Sequence, residues 1–224
     1  MQRFLRKLAN TIDSNSLSTR FRKKRFFKFL KMVNDIEKKL ERPLKILDVG
    51  GWYHFWKNME FDKTHHHITI LNIEEIKSEN QNIVCIIGDG TNMSQFNDKE
   101  FDIVFSNSVI EHLFTYENQE KMANEIRRLS NYHFVQTPSF YFPIEPHFLF
   151  PFFHWLPKKL RIWLVSNFSL GWYKRTKNKN DASKIVDEIR LLKYSELIKL
   201  FPESKIIKER FMGFTKSYIV VKFN

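Results

Sequence analysis

"LKILDVGGWYHFW", residues 44–56, opens as an apolar run, reaches Asp48, turns through Gly50 and Gly51, and continues into bulky rings from Trp52 to Trp56. An apolar run closed by two glycines reads either as a strand feeding a cofactor-binding turn or as a plain core strand with its turn. The neighbouring segments decide. Downstream, "HITILNI" (67–73), "NIVCIIGD" (82–89), "FDIVFSNS" (101–108) and "YHFVQTP" (132–138) are nearly continuous apolar runs. Such runs predict strands buried on both faces, as in a parallel sheet covered by helices. Upstream, Phe26, Leu30, Val33, Ile36 and Leu40 recur at helical spacing, so a helix is predicted over residues 21–41, ended by Pro43. "QEKMANEIRRLS" (119–130) predicts a helix with Met122, Ile126 and Leu129 on one face, and a further helix is expected near 184–200. "SKIIKERF" and "KSYIVVKF" close the chain as two strands, with Gly213 suited to a hairpin between them.

Between "YHFVQTP" and "SKIIKERF" lie about 65 residues, where a crossover needs about a dozen. Residues 139–181 are crowded with aromatics and prolines and predict an elaboration of their own. Leu160, Trp163, Leu164 and Phe168 share a helical face there, beside Lys158, Lys159 and Arg161. That composition suits a hydrophobic lid over a pocket, a membrane interface, stacking and phosphate contacts to nucleic acid, or a small helical core.

The length of 224 residues suits one domain with an elaboration. With 42% hydrophobic and 28% charged residues, a sizeable core is expected. The single Cys85 excludes an intrachain disulfide framework, is read as a small buried core residue and fits a reducing compartment. The N-terminal residues contain no apolar stretch long enough for a signal peptide, and no segment reaches the roughly 20 apolar residues of a membrane span. The net charge is +12, and residues 1–32 hold ten Lys and Arg against one acid, Asp13. That block attracts phosphates of nucleic acid or of lipid headgroups, or serves as a solvated face. Residues 1–42 are therefore read as a basic N-terminal helical extension and residues 43–224 as the principal domain. The three consecutive histidines, His65 to His67, resemble a metal tract. Alternation along an extended chain would send them to opposite faces, and no metal site is expected.

Four strand ends carry polar residues: Asp48 to Gly51, Asn72 with Glu74, Gly88 to Asn92, and Ser106 to Ser108. In an open α/β sheet, ligands bind outside the carboxyl ends of the strands. "LKILDVGG", "ILNIE", "IIGDGTNM" and "FDIVFSNSVIEHL", in this order, resemble the cofactor motifs of the class I S-adenosylmethionine-dependent methyltransferases of the type 11 group. The C-terminal "LLKYSELIKLFPESKIIKERFMGFTKS" resembles the family's last helix and strand pair. The resemblance covers about residues 44–145 and 188–224. It implies a Rossmann-like three-layer α/β sandwich: a mostly parallel seven-stranded sheet with an antiparallel C-terminal strand, interrupted by the aromatic-rich insert.

It also implies roles. Asp48, Gly50 and Gly51 would line the methionine and ribose of S-adenosylmethionine. Asn72 stands where the family carries its acidic ribose ligand, and Glu74 is its substitute. Asp89, Gly90 and Thr91 would hold the adenine, and Asn107, Ser108 and Val109 would face the methionine. The family's second and third glycines are here Trp52 and His54, and the short segment to the next strand requires a truncated first helix. For an acceptor hydroxyl the general-base candidates are His147, Glu145 and His112, while Glu111 is read as orienting its neighbours. No Asn/Asp-Pro-Pro-Tyr tetrad, the resemblance marker for amino-group methylation of adenine or glutamine, follows the fourth strand. An oxygen acceptor is therefore expected, on a small molecule, glycan or lipid-linked sugar, with S-adenosylhomocysteine as product. The location expected is cytoplasmic, with peripheral contact to an anionic inner-membrane surface. The alternatives are an RNA methyltransferase using the basic N-terminus and a methyltransferase-like binding module without activity.

Overall fold

A computed structural model describes residues 16–223; the basic residues before Ser16 lie outside it. The long helix α1 (Leu17–Leu40) begins where Ser16 Oγ accepts from the Thr19 backbone N–H at 3.0 Å. It ends where Glu41 takes a left-handed conformation, two residues before Pro43. The strands β1 (Lys45–Val49), β2 (His67–Asn72), β3 (Ile83–Ile87), β4 (Ile103–Asn107) and β5 (Tyr132–Pro138) pair in parallel. β8 (Lys205–Phe211) and β9 (Phe214–Lys222) complete a seven-stranded sheet of order β3-β2-β1-β4-β5-β9-β8. β9 runs antiparallel to both neighbours, and Gly213 at φ 85 turns the hairpin. The predicted sheet and its one reversed strand are thus found.

Alternation along each strand sends side chains to two apolar layers. Ile46, Ile70, Ile103, Phe105, Phe134 and Ile219 meet Phe26, Phe29, Val33 and Ile36 of α1. Leu47, Val49, Val104, Val135 and Val220 meet the helices α3 (Tyr116–Leu129) and α6 (Tyr194–Leu200) on the other side. The helix α1 is therefore one wall of the main core. Its buried stripe includes Phe29 and Met32, while Leu30 and Leu40 are only half-buried. The edge strand departs from the pattern. Residues 73–82 contain no helix, so Val84 and Ile87 are exposed and Cys85 is half-buried, not a core residue. The helix predicted near 184–200 is two: α5 (Lys179–Glu188) and α6, broken where the Arg190 N–H donates to Glu111 O at 2.8 Å.

The insert carries a two-stranded ribbon, β6 (Ile144–Glu145) with β7 (Phe150–Pro151), and the helix α4 (Lys158–Asn167). Phe148, Phe153, Leu164, Val165, Leu170, Ala182, Val186 and Leu191 form a third core, so α5 belongs to the same unit. On α4 the buried side chains are Leu164 and Val165; Leu160, Trp163 and Phe168 point outward, which corrects the predicted face. Gly171 lies so close to the chain that a Cβ would stand 2.0 Å from His147 O, so the insert folds back onto the loop holding Glu145 and His147.

Candidate active site

The β1 turn is tight for reasons of packing. Gly50 has φ +75, and a Cβ on it would lie 2.5 Å from Val109 Cγ1. Its N–H donates to Leu71 O at 2.7 Å. Asp48 is fully buried beneath Gly51, where a Cβ would come within 1.6 Å of Asp48 Oδ2. The Trp56 indole donates to that oxygen at 2.7 Å, and Oδ1 has no partner. Burial pushes the Asp48 carboxyl up to about 7, against the lowering pull of Trp56. The aromatic half of "GGWYHFW" is thereby explained. Tyr53 and Trp56 of the short helix α2 (Tyr53–Asn58) are buried against the sheet, while Trp52 and His54 at the glycine positions point to solvent. The first helix is truncated as expected.

At the β2 end, Asn72 is buried and fully engaged. Its amide donates to Gly51 O at 2.8 Å and its oxygen accepts from the Glu74 N–H at 3.1 Å. It braces the turn, and the exposed Glu74 beside it retains a free carboxylate position. At the β3 end, Asp89 is exposed and accepts from the Thr91 N–H at 2.8 Å, an Asx turn around Gly90.

Across the sheet's reversal point, Asn107 and Ser108 face another group. Arg25 of α1 is buried, donates to Asn107 Oδ1 at 2.6 Å and to Gln136 Oε1, and lies 3.3 Å from Glu209. Ser108 Oγ donates to the same Gln136 oxygen at 2.8 Å from a left-handed backbone, φ 59. Val109 packs over Gly50. Sequence reading nominated none of Arg25, Gln136 and Glu209. Gln136 alone carried a signal, a polar residue inside an apolar run.

The base candidates converge. His147 Nδ1 is 2.7 Å from Glu145 Oε1, and the other oxygen of Glu145 accepts the backbone N–H of His147 at 2.7 Å and of Phe148 at 2.6 Å. The His112 and His147 rings meet edge to face, centroids 4.8 Å apart. Burial works to lower the His147 pKa, yet the hydrogen bond and charge of Glu145, with Glu111 and Glu188, raise it above the ordinary value. Burial and the charge of His147 push His112 down to about 4, so it is a neutral ring. Glu111 is fully buried; Thr137 Oγ1 donates to its Oε2 at 3.0 Å, its Oε1 has no partner, and burial raises its pKa to about 7. The consecutive histidines also differ from expectation. His65 and His66 precede β2, so strand alternation does not separate them, and both rings turn toward Glu37.

A cavity of about 310 Å³ opens beside these groups, lined by Asn107, Ser108, Glu111 and Gln136 from the sheet side and by His147, Leu149 and Trp172 from the insert. Residues 60–131 match a family model described as a methyltransferase domain. A search of curated proteins finds no match. Among solved structures, the chain is similar to the 1,6-didemethyltoxoflavin-N1-methyltransferase of Burkholderia thailandensis, solved with 1,6-didemethyltoxoflavin and S-adenosylhomocysteine bound. Identity is 11%, over 86% of this chain and 76% of that one, with a TM-score of 0.50. It is also similar to the CurJ carbon methyltransferase, at 11% identity over 81% of this chain and 48% of that one, TM-score 0.50. Likeness at such identity speaks to the fold; the family model speaks to the segment that carries the β2, β3 and β4 strand ends. Residues 60–131 thus resemble a methyltransferase domain, and the chain shares the fold of these solved methyltransferases.

Proposed function

We propose that the protein transfers a methyl group from S-adenosylmethionine to an oxygen of a small molecule, glycan or lipid-linked sugar held in the cavity beside His147. The acceptor groups at the strand ends fit the cofactor. Adenosine presents an amino group and two ribose hydroxyls as donors, and Asp89 and Glu74 are exposed carboxylates at neighbouring strand ends. Asn72 and Asp48, both engaged within the protein, support the turn from beneath. When bound, S-adenosylmethionine supplies an electrophilic methyl on a sulfonium. The chain's part is to position the acceptor and take its proton.

The observation that carries the reading is the Glu145–His147 pair at the cavity wall. Glu145 fixes Nδ1 as the protonated nitrogen, which leaves Nε2 as the proton acceptor. An acceptor hydroxyl would give its proton to Nε2 as the new bond to carbon forms. Calorimetric titration with S-adenosylhomocysteine tests the cofactor. Absence of binding at millimolar ligand would remove the enzyme reading and leave the binding module. A screen of hydroxylated acceptors with radiolabelled methyl donor tests the reaction.

The RNA alternative draws on the basic N-terminal block, and retention of RNA that is lost with salt would support it. Peripheral membrane contact is proposed from the exposed Trp163 and Phe168 beside Lys158 and Lys159. Among the described residues no helix is long and apolar enough to cross a membrane.

A further inference from the structure

The cavity wall opposite His147 is cationic. Arg22 and Arg25 from the first turns of α1 line it together with Lys216 of β9. These cations are unequally partnered. Arg25 is matched by Glu209, itself tied to Ser217. Arg22 is half-buried and, among the described residues, pairs with no carboxylate; its pKa is lowered by burial and by Arg25. Lys216 Nζ lies 4.1 Å from the centre of the Phe21 ring and has no carboxylate within ion-pair distance among the described residues. Its pKa is pushed down to about 8 by burial and by Arg25 and Arg22, against the pull of Glu209. The one acid among the lining residues, Glu111, accepts from Thr137 and forms no ion pair with Arg22 or Lys216. Those two cations are left without an ion-pair partner among the described residues. Holding like charges half-buried is unfavourable unless something anionic offsets them. The apolar part of the wall includes Phe142, Leu149, Trp172 and Phe211.

We infer that this cavity takes an acceptor bearing a phosphomonoester, whose dianion sits between Arg22 and Lys216 while its apolar body lies along Phe142, Leu149 and Trp172. The inference rests on the reading of the cavity as the acceptor site and names the class of acceptor. Two uncompensated cations match a dianion better than a single carboxylate, and a guanidinium offers phosphate a paired set of donors. On this reading part of the basic sequence block has a specific task. Arg22 and Arg25 turn inward to the cavity, whereas Lys23 and Lys24 between them face solvent.

The test uses phenyl phosphate, benzoate and benzyl alcohol titrated calorimetrically into the full chain at low salt. Phenyl phosphate is expected to bind at least about tenfold tighter than the other two. Arg22→Gln and Lys216→Met are each expected to weaken it about tenfold or more, Arg22→Lys to weaken it less than Arg22→Gln because the charge stays while the paired donors are lost, and Lys23→Gln to leave it unchanged. Benzoate binding as tightly as phenyl phosphate would overturn the dianion, and benzyl alcohol doing so would overturn any anion subsite. So would phenyl phosphate binding that neither substitution weakens, or no binding of it at all. S-adenosylhomocysteine titrated into the same samples separates the two readings. If it fails to bind while the phosphate pattern holds, the methyltransferase function falls and the anion site stands; bound normally without phosphate binding, it leaves the function and removes the anion site. Cooperative thermal melting of each variant establishes that lost affinity is not lost fold.

Discussion

Asp48 shows how one carboxylate can set both a loop and a pH dependence. Its folded pKa is about 7 where an unfolded carboxyl titrates near 3.8. Between those values the folded state holds the proton more tightly than the unfolded chain, so its contribution to stability falls as pH rises through this window. Glu111, also pushed up to about 7 by burial, adds in the same direction. Asp48→Asn keeps an acceptor for the Trp56 indole and removes the buried charge. The expected result is a melting temperature gain over the parent that is small at pH 5 and larger at pH 8. A gain that is flat with pH would contradict the assignment. His147 yields a catalytic counterpart. As a base it must be unprotonated, so activity should rise with pH through its raised pKa. Glu145→Gln removes the first of the partners that raise it, so the rising limb should move to lower pH while the maximal rate falls about 100-fold or more. A lower rate with an unmoved limb would mean that another group is the base.

At the scale of elements, α1 is the instructive case. Its position before the β1 motif suggested a basic extension, yet Phe29 is fully buried, 4.8 Å from the ring of Phe105 on the sheet. Phe29→Ala should therefore cost about 3–5 kcal/mol of unfolding free energy in a denaturant titration. A loss below about 1 kcal/mol would show α1 to be dispensable to the core. The turn after β1 is constrained in a different way. Gly50→Ala combines a left-handed backbone with a clash against Val109, so it should both destabilise the fold and weaken S-adenosylhomocysteine binding. Val109→Ala in the same background should restore part of both by relieving the clash; no recovery would place the defect in the backbone alone. The strands were legible because short apolar runs closed by glycines, polar residues or a proline are a local signal. The edge exposure of β3 was not, because nothing in "NIVCIIGD" records that the preceding connection lacks a helix.

The whole molecule explains which parts of the site could be read in advance. The strand-end residues Asp48, Asn72, Asp89 and Asn107 are fixed by their place after local apolar runs, and they lie at the carboxyl edge of one sheet as expected. The Arg25 group joins residues 82 and 111 positions apart along the chain. Only the docking of α1 onto the sheet brings it together, so no local spacing could reveal it. The insert belongs to the same scale. Its core, around Phe148, Phe153 and Leu164, is separate from the two layers that enclose the sheet, while its loop supplies His147, Leu149 and Trp172 to the cavity. A unit with its own small core and a shared rim should open without unfolding the sheet. Amide exchange is therefore expected to be faster in residues 144–173 than in β1, β4 and β5, and to slow in that segment when an acceptor fills the cavity. Exchange as slow as in the central strands before any ligand is added would make the insert a fixed wall. The acceptor would then have to enter past α1 rather than beneath the insert.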